Sequence, residues 1–341
     1  MSADNLVDDP LIDEWLAFME ASKGRSARTL DTYRGALRRL RVFLAGKPLT
    51  EAEPLELETF TGLWLHKQKV IARSRRPYIS AVRGFYAWLA STKRIKLDTA
   101  TRLSYPITGQ PLPRTITLAN AERLMWAPDM GTFIGIRDAT MLAILIGCGL
   151  RVSGLTALNE GDLQPTDIEG MPRLAIRTTE KGDKTRLVPV PREAEMLLRV
   201  YLGHEDLAAI DRTVTNRRGH ADKVLFVSVR STKVPAHKHI GEARRLTRKA
   251  VHDFIQRYGN KLGIPRDQLH PHALRHLFGT ELAEDDTPTL AIQELMGHAD
   301  PKSTAIYAQL AMRKKTSTLD RAAPLSKMKT PVSELLKRLP R

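Results

Sequence analysis

The sequence predicts a mainly α-helical protein with one small β-sheet, folded as two domains. Three observations carry that reading. The chain has 341 residues, about twice the length of a common single domain. Apolar residues recur at helical spacing through most of it. Strand-like patterning is confined to residues 173–190, and a proline-rich break separates the two halves.

Taken in order, residues 11–22 place Leu11, Ile12, Trp15, Leu16, Phe18 and Met19 in a helical pattern. Residues 29–45 follow, with Leu30, Tyr33, Leu37, Leu40, Phe43 and Leu44 on one side and Gly46-Lys47-Pro48 as a stop. Segments 55–69 and 77–92 complete a four-helix set expected to bury Trp15, Trp64 and Trp88. Periodicity lapses between 97 and 114, where Pro106, Gly109, Pro111 and Pro113 crowd together. The first domain is therefore assigned to residues 8–105 and the linker to 106–116.

The second domain, 117–312, opens at Thr117-Leu118-Ala119-Asn120-Ala121-Glu122, a capped helix start. Residues 135–150 predict a buried helix. Residues 173–177 and 186–190 predict two short strands, joined by the polar segment 178–185 with its Gly182-Asp183 turn signal. Helices are expected over 193–202, 241–262, 272–282, 289–296 and 301–312. Residues 313–341 make a basic tail in which Val332, Leu335, Leu336 and Leu339 are spaced for a short amphipathic helix.

Composition removes several function classes. With 42% hydrophobic and 27% charged residues, the chain fits neither wholesale disorder nor a fibrous repeat, and its single cysteine cannot form an internal bridge. Cys148 sits in an apolar run and is expected to be a small core residue. The longest apolar stretch, 139–150, is too short for the ~20 residues that span a bilayer. A chain that opens with Asp4, Asp8 and Asp9 lacks the basic start of a secretory signal, so a cytoplasmic location and no membrane partner are expected.

The 54 Lys and Arg residues against 38 Asp and Glu leave a net charge of +16. Such an excess points to a polyanion, because each cation that neutralises a phosphate releases condensed counterions. Residues 72–96 hold Arg73, Arg75, Arg76, Arg83, Lys93, Arg94 and Lys96 with no acidic residue, interleaved with Tyr78, Phe85, Tyr86 and Trp88. Residues 230–249 hold seven more cations, Arg244 and Arg245 among them, against Glu242 alone. One such run is commonly a solvated helix face. Three in one chain, counting the tail, favour a track along nucleic acid. The aromatic residues at 78, 85 and 88 are spaced as a packing face, which disfavours a membrane-surface role.

Three segments carry groups suited to chemistry. Gly147-Cys148-Gly149-Leu150-Arg151-Val152-Ser153 puts an arginine where an apolar helix ends. His270-Pro271-His272-Ala273-Leu274-Arg275-His276 puts His272 and Arg275 three apart, on one helical face. Met296-Gly297-His298-Ala299-Asp300-Pro301 precedes Tyr307. Arginines with histidines and a tyrosine suit phosphoryl transfer without metal. Two guanidinium forks grip the non-bridging oxygens, a phenolic oxygen attacks, and a mobile hairpin lysine protonates the departing oxygen. Taken singly, Arg151 is explained as a helix-end cation, and Tyr307 as a core residue with its hydroxyl at the rim. His272, His276 and His298 include an i, i+4 pair of the metal-binding kind, but the pair lacks the glutamate of a zinc protease and nearby arginines repel a dication.

The segments Gly149-Leu150-Arg151-Val152-Ser153, His272-Ala273-Leu274-Arg275-His276 and Leu295-Met296-Gly297-His298, followed by Tyr307, resemble the tyrosine recombinases, or phage integrases. The order and spacing hold over about residues 117–312, with the Lys181-Gly182-Asp183-Lys184-Thr185-Arg186 hairpin between the arginine segments. The helical first half resembles the family's core-binding (SAM-like) domain, and the second its α+β catalytic domain. The resemblance implies Tyr307 as nucleophile, forming a 3'-phosphotyrosyl link, with Arg151 and Arg275 clamping the scissile phosphate. It further implies His298 as donor to a phosphate oxygen, His272 as aid to tyrosine deprotonation, and Lys181, or else Lys184, as general acid. It also implies strand exchange by a homotetramer on two duplex DNA sites through a four-way (Holliday) junction, with no cofactor and no metal. Any accessory DNA-bending protein or partner recombinase is unspecified. Arg73, Arg75, Arg76, Arg83, Lys184, Arg244 and Arg245 are the expected DNA contacts, mostly to phosphates. The tail is a candidate for packing onto a neighbouring protomer.

One position departs from the family pattern. An acidic residue usually stands three after the first arginine, and Gly154 stands there instead. Either another carboxylate, such as Glu160 or Asp162, orients Arg151, or the site is weakened. The alternative reading that this glycine supports is a DNA-binding protein of the same fold with little or no cleavage activity.

Overall fold

The computed structural model describes residues 9–107, 115–168, 170–179, 185–216, 219–285, 287–297 and 317–330. The fold is mainly α-helical with two small antiparallel sheets, and the chain divides into two compact units, 1–111 and 112–341.

In the first unit, α1 (Pro10–Lys23) starts where the Asp9 carboxylate accepts from the Leu11 amide, and α2 (Ala27–Leu44) where the Ser26 hydroxyl accepts from Thr29. These side chains satisfy amide donors that a helix start leaves unpaired. The third segment runs as α3 (Pro54–Thr59), a π turn (Phe60–Trp64) and α4 (Leu65–Lys67). The fourth helix, α5 (Ala72–Ser91), starts five residues before the expected position 77, with Pro77 inside it. Arg73, Arg75 and Arg76 therefore stand on its first turns. Trp15 and Trp88 are buried as expected, whereas Trp64 is only partly covered. Trp15 stacks on Tyr33 with centroids 5.4 Å apart and meets Phe85 edge-on at 5.6 Å. The lapse of periodicity at 97 is not the end of this packing, because Ala100 and Leu103 are buried in the same core.

The second unit is built around α7 (Phe133–Cys148), in which every side chain but Ile134 is buried. Before it comes α6 (Leu118–Met125), capped by Thr117. After it, α8 (Val152–Ala157) leads to the sheet β1 (Leu163–Ile168), β2 (Met171–Thr179) and β3 (Thr185–Pro189), in the order β1-β2-β3. Ala175 lies opposite Pro189 and Thr178 opposite Arg186. Next come α9 (Arg192–Leu202), α10 (Glu205–Ala208) and a short hairpin of β4 (Thr213–Thr215) and β5 (Ala221–Lys223). The helix expected over 241–262 is corrected to a 3-10 turn (Gly241–Arg244) followed by α11 (Arg248–Lys261). Burial of Leu246 and a backbone bridge between Arg245 and Val227 hold the intervening residues extended. Then come α12 (Pro271–Glu284) and α13 (Thr289–Met296), and residues 317–322 are again helical.

Residues 317–330 return to this unit and bury Leu319, Ala322, Ala323, Leu325 and Met328. Arg173 on β2 grips Asp320 through two bonds of 2.5 and 2.7 Å, and the Trp126 indole N–H donates to the Lys329 carbonyl at 2.6 Å. The helix expected at 301–312 and the amphipathic segment 332–339 lie outside the described residues. Among the described residues no helix is long and apolar enough to cross a membrane. Cys148 is fully buried, and burial pushes its thiol up to about 12.

Candidate active site

The buried helix α7 ends at Gly149 in the left-handed conformation, φ +59°. That turn reverses the chain within two residues, so that Arg151 becomes the extended residue just before α8. A Cβ on Gly149 would lie 2.3 Å from Phe278 Cδ1 on α12, so the close approach of the two elements requires a glycine. The Gly149 carbonyl accepts from Arg275 Nη1, joining the first arginine segment to the second.

On α12, His272 and Arg275 stand three residues apart. Arg275 is 4% exposed, and its other terminal nitrogen donates to the Met296 carbonyl at the end of α13. Burial, then the neighbouring charges of Arg151 and Arg186, bring its pKa down to about 9. Burial and Arg186 lower Arg151 as well, and burial brings Arg186 down to about 10. All three guanidiniums remain charged at neutral pH. Arg186 acts on Arg151, and Arg151 and Arg186 act on Arg275, as like charges, a repulsion that a bound anion relieves. His272 reaches solvent, its ring centroid 6.5 Å from that of His276. Burial, then His276, His270, Arg275 and Arg151, lower its pKa, so a neutral imidazole able to accept a proton is favoured at pH 7.

The residues expected to orient Arg151 are engaged elsewhere. Glu160 binds Arg212 at 2.5 Å, and Asp162 binds Arg177 at 3.1 Å while accepting from the Asn159 amide. The glycine at 154 has a steric reason, since a Cβ there would lie 2.8 Å from the buried Thr178 hydroxyl.

Arg151, His272 and Arg275 thus come together. Tyr307, His298, Lys181 and Lys184 lie outside the described residues. Arg186 joins the cluster although the sequence marks it only as the end of the hairpin motif. Its signal was positional: it is the second residue of the strand that follows two lysines, opposite a threonine that the sheet buries.

The expected DNA contacts differ in availability. Arg73, Arg76 and Arg83 are exposed on α5, with the Arg76 and Arg83 guanidiniums 4.9 and 5.8 Å from the Tyr105 ring centre. Arg83 also donates to the Leu103 carbonyl at 3.2 Å, and Arg75 to the Gly62 carbonyl of the π turn at 3.1 Å. Arg244 donates to the carbonyls of Ser228 and Val229. Arg245 is the most engaged within the fold of these, its guanidinium binding Glu242, the Thr156 and Leu158 carbonyls and Asn159 Oδ1. Among the described residues no group of three or more His, Cys, Asp or Glu gathers in a metal-binding arrangement.

Residues 114–314 match the phage integrase family, and residues 12–93 match the N-terminal SAM-like domain of phage integrases. The chain is 32% identical over 310 residues to tyrosine recombinase XerD of Pseudomonas putida, covering 89% of this chain and 94% of that one. It is 33% identical over 323 residues to tyrosine recombinase XerC of Pseudomonas aeruginosa, covering 93% and 96%. Its fold is similar to that of a lambda integrase (75–356) dimer bound to a COC' core site, with TM-score 0.61 and 15% identity over 86% of this chain and 95% of that one.

Proposed function

Because the chain belongs to the phage integrase family, we propose that it is a site-specific DNA recombinase that cuts and rejoins DNA through a 3'-phosphotyrosyl intermediate. The observation that carries the chemistry is the cluster of Arg151, Arg275 and His272, two cations and a neutral imidazole brought together from segments over a hundred residues apart.

Arg151 and Arg275 hold the non-bridging oxygens of the scissile phosphate, and their charge is worth most in the transition state, where negative charge grows in a partly desolvated site. The Tyr307 oxygen attacks phosphorus as its proton passes to His272. The P–O5' bond breaks, and Lys181, with Lys184 as second choice, protonates the leaving 5'-oxygen. His298 donates to a phosphate oxygen. Attack by a 5'-hydroxyl on the phosphotyrosine reverses these transfers, so resealing needs neither ATP nor a metal.

The protein acts in the cytoplasm on double-stranded DNA, as a homotetramer that joins two sites and passes through a Holliday junction. Arg73, Arg76 and Arg83 supply exposed contacts to phosphate, while Arg75 and Arg244 reach it only by leaving their carbonyl partners. The unoccupied acidic position at 154 lowers cleavage rate without removing activity, and residues after Thr330 favour protomer assembly.

A suicide substrate nicked beside the cleavage site tests the reading. Wild type traps a covalent protein–DNA adduct in EDTA, whereas Tyr307→Phe gives a gel shift and no adduct. Binding without any adduct from wild type on its cognate site would establish the DNA-binding alternative instead.

A further inference from the structure

Arg186 is the third cation of the cluster and has no part in the chemistry just described. Its backbone lies on β3, an edge strand of the three-stranded sheet. One side of β3 is paired with β2, and among the described residues no strand is paired with the other. The Arg186 side chain donates from Nη1 to the Leu295 carbonyl, in the last turn of α13. Arg275 takes the next carbonyl along, that of Met296. Carbonyls at a helix end have no partner within the helix, and the C-terminal end of the helix dipole attracts cations, so both guanidiniums bind where the helix leaves acceptors open.

The position is electrostatically expensive. A cation is held half-buried beside Arg151 and Arg275, and all three repel one another. An apolar side chain would avoid that repulsion but could not make the bond to the Leu295 carbonyl. That bond links two parts of the site distant in sequence. Residues 181–184 run directly into β3, and His298 follows α13 by two residues.

We propose that Arg186 is a positioning residue for protonation of the leaving group: by tying β3 to the end of α13 it fixes the root of the lysine hairpin, so that the lysine ammonium meets the 5'-oxygen as it departs. The inference rests on the recombinase reading. In the step concerned the Tyr307 oxygen–phosphorus bond forms, the P–O5' bond breaks, and the lysine's proton goes to O5'. Arg186 itself neither gains nor loses a proton and does not touch phosphate.

The test compares two suicide substrates, one with the natural 5'-oxygen at the scissile phosphate and one with bridging sulfur there. A thiolate leaves without a proton, because thiols are several pK units more acidic than alcohols. Arg186→Met should cleave the oxygen substrate roughly 10- to 100-fold more slowly than wild type, the cost of misplacing a proton donor. It should cleave the sulfur substrate at close to the wild-type rate. Lys181→Ala should show the same rescue, and Arg275→Ala should stay slow on both substrates. Arg186→Lys, which keeps one donor and the charge, should fall between wild type and Arg186→Met on the oxygen substrate. It serves as the test variant, with the same sulfur rescue required, if the Met variant melts below the assay temperature. Arg186→Met cleavage at the wild-type rate on oxygen, or equally slow cleavage on both substrates, overturns the proposal while wild-type adduct formation leaves the recombinase reading intact. Absence of adduct from wild type on either substrate removes both.

Discussion

Gly149 holds the first arginine segment against the second. Its left-handed backbone turns the chain toward Arg151, its carbonyl receives Arg275, and its missing side chain admits the Phe278 ring. Gly149→Ala should therefore cost about 2–4 kcal/mol, from left-handed strain and overpacking together, read as a lower urea midpoint. Adduct formation should fall further than stability does, since both arginines shift. His272 makes a second prediction. Its depressed pKa keeps it neutral below the ordinary histidine value of 6.5, so the acid limb of the cleavage rate should have its midpoint under pH 6.5. The linkage has the same sign: His272 and His276 are both lowered in the fold, so the unfolded chain binds more protons as pH falls below 6.5. Stability to urea should therefore be full above that pH and decline on acidification. Arg151, His272 and Arg275 were legible in the sequence through their motifs. The partners of Glu160 and Asp162 were not, because Arg212 and Arg177 reach them through tertiary contacts that no local pattern records.

The helices were legible where apolar spacing repeats, and their errors have local causes. A proline reads as a helix start, yet α5 takes Pro77 into its second turn, where only one backbone bond is lost. Strand β1 was missed because Leu163-Gln164-Pro165-Thr166-Asp167-Ile168 has no alternation and carries a proline, both tolerable at a sheet edge. The break before α11 was hidden by continuous polarity and is made by Arg245, whose guanidinium ties that stretch to the end of α8. Arg173 and Asp320 join β2 to the 317–330 segment through a two-bond ion pair. The arginine side chain is 6% exposed and the carboxylate 34%, so the pair lies between a surface and a buried bridge. Asp320→Asn should cost about 1–3 kcal/mol by urea unfolding, the upper part of the range reflecting a buried guanidinium left half-paired. Amide exchange over 317–330 should quicken in the same variant, while that of α5 stays unchanged.

At the scale of the molecule, a net charge of +16 is spread over both units, and the sequence alone pointed to a polyanion. It could not show which cations are held by the fold. On α5 the exposed trio Arg73, Arg76 and Arg83 is separable from Arg75, which is tied to the π turn. Replacing Arg73 and Arg76 with glutamine should flatten the plot of log binding constant against log salt by about one for each phosphate left unneutralised. Arg245→Gln should leave that slope unchanged and lower the melting temperature instead.

The bond from the Trp126 indole to the Lys329 carbonyl gives the protein a built-in optical reporter. The other tryptophans, Trp15, Trp64 and Trp88, all belong to the first unit. Subtracting the fluorescence of a Trp126→Phe variant from that of the parent isolates one half-exposed indole. Its emission shifts to the red when residues 317–330 let go, so unlabelled protein signals in real time whether that segment is seated on its own unit.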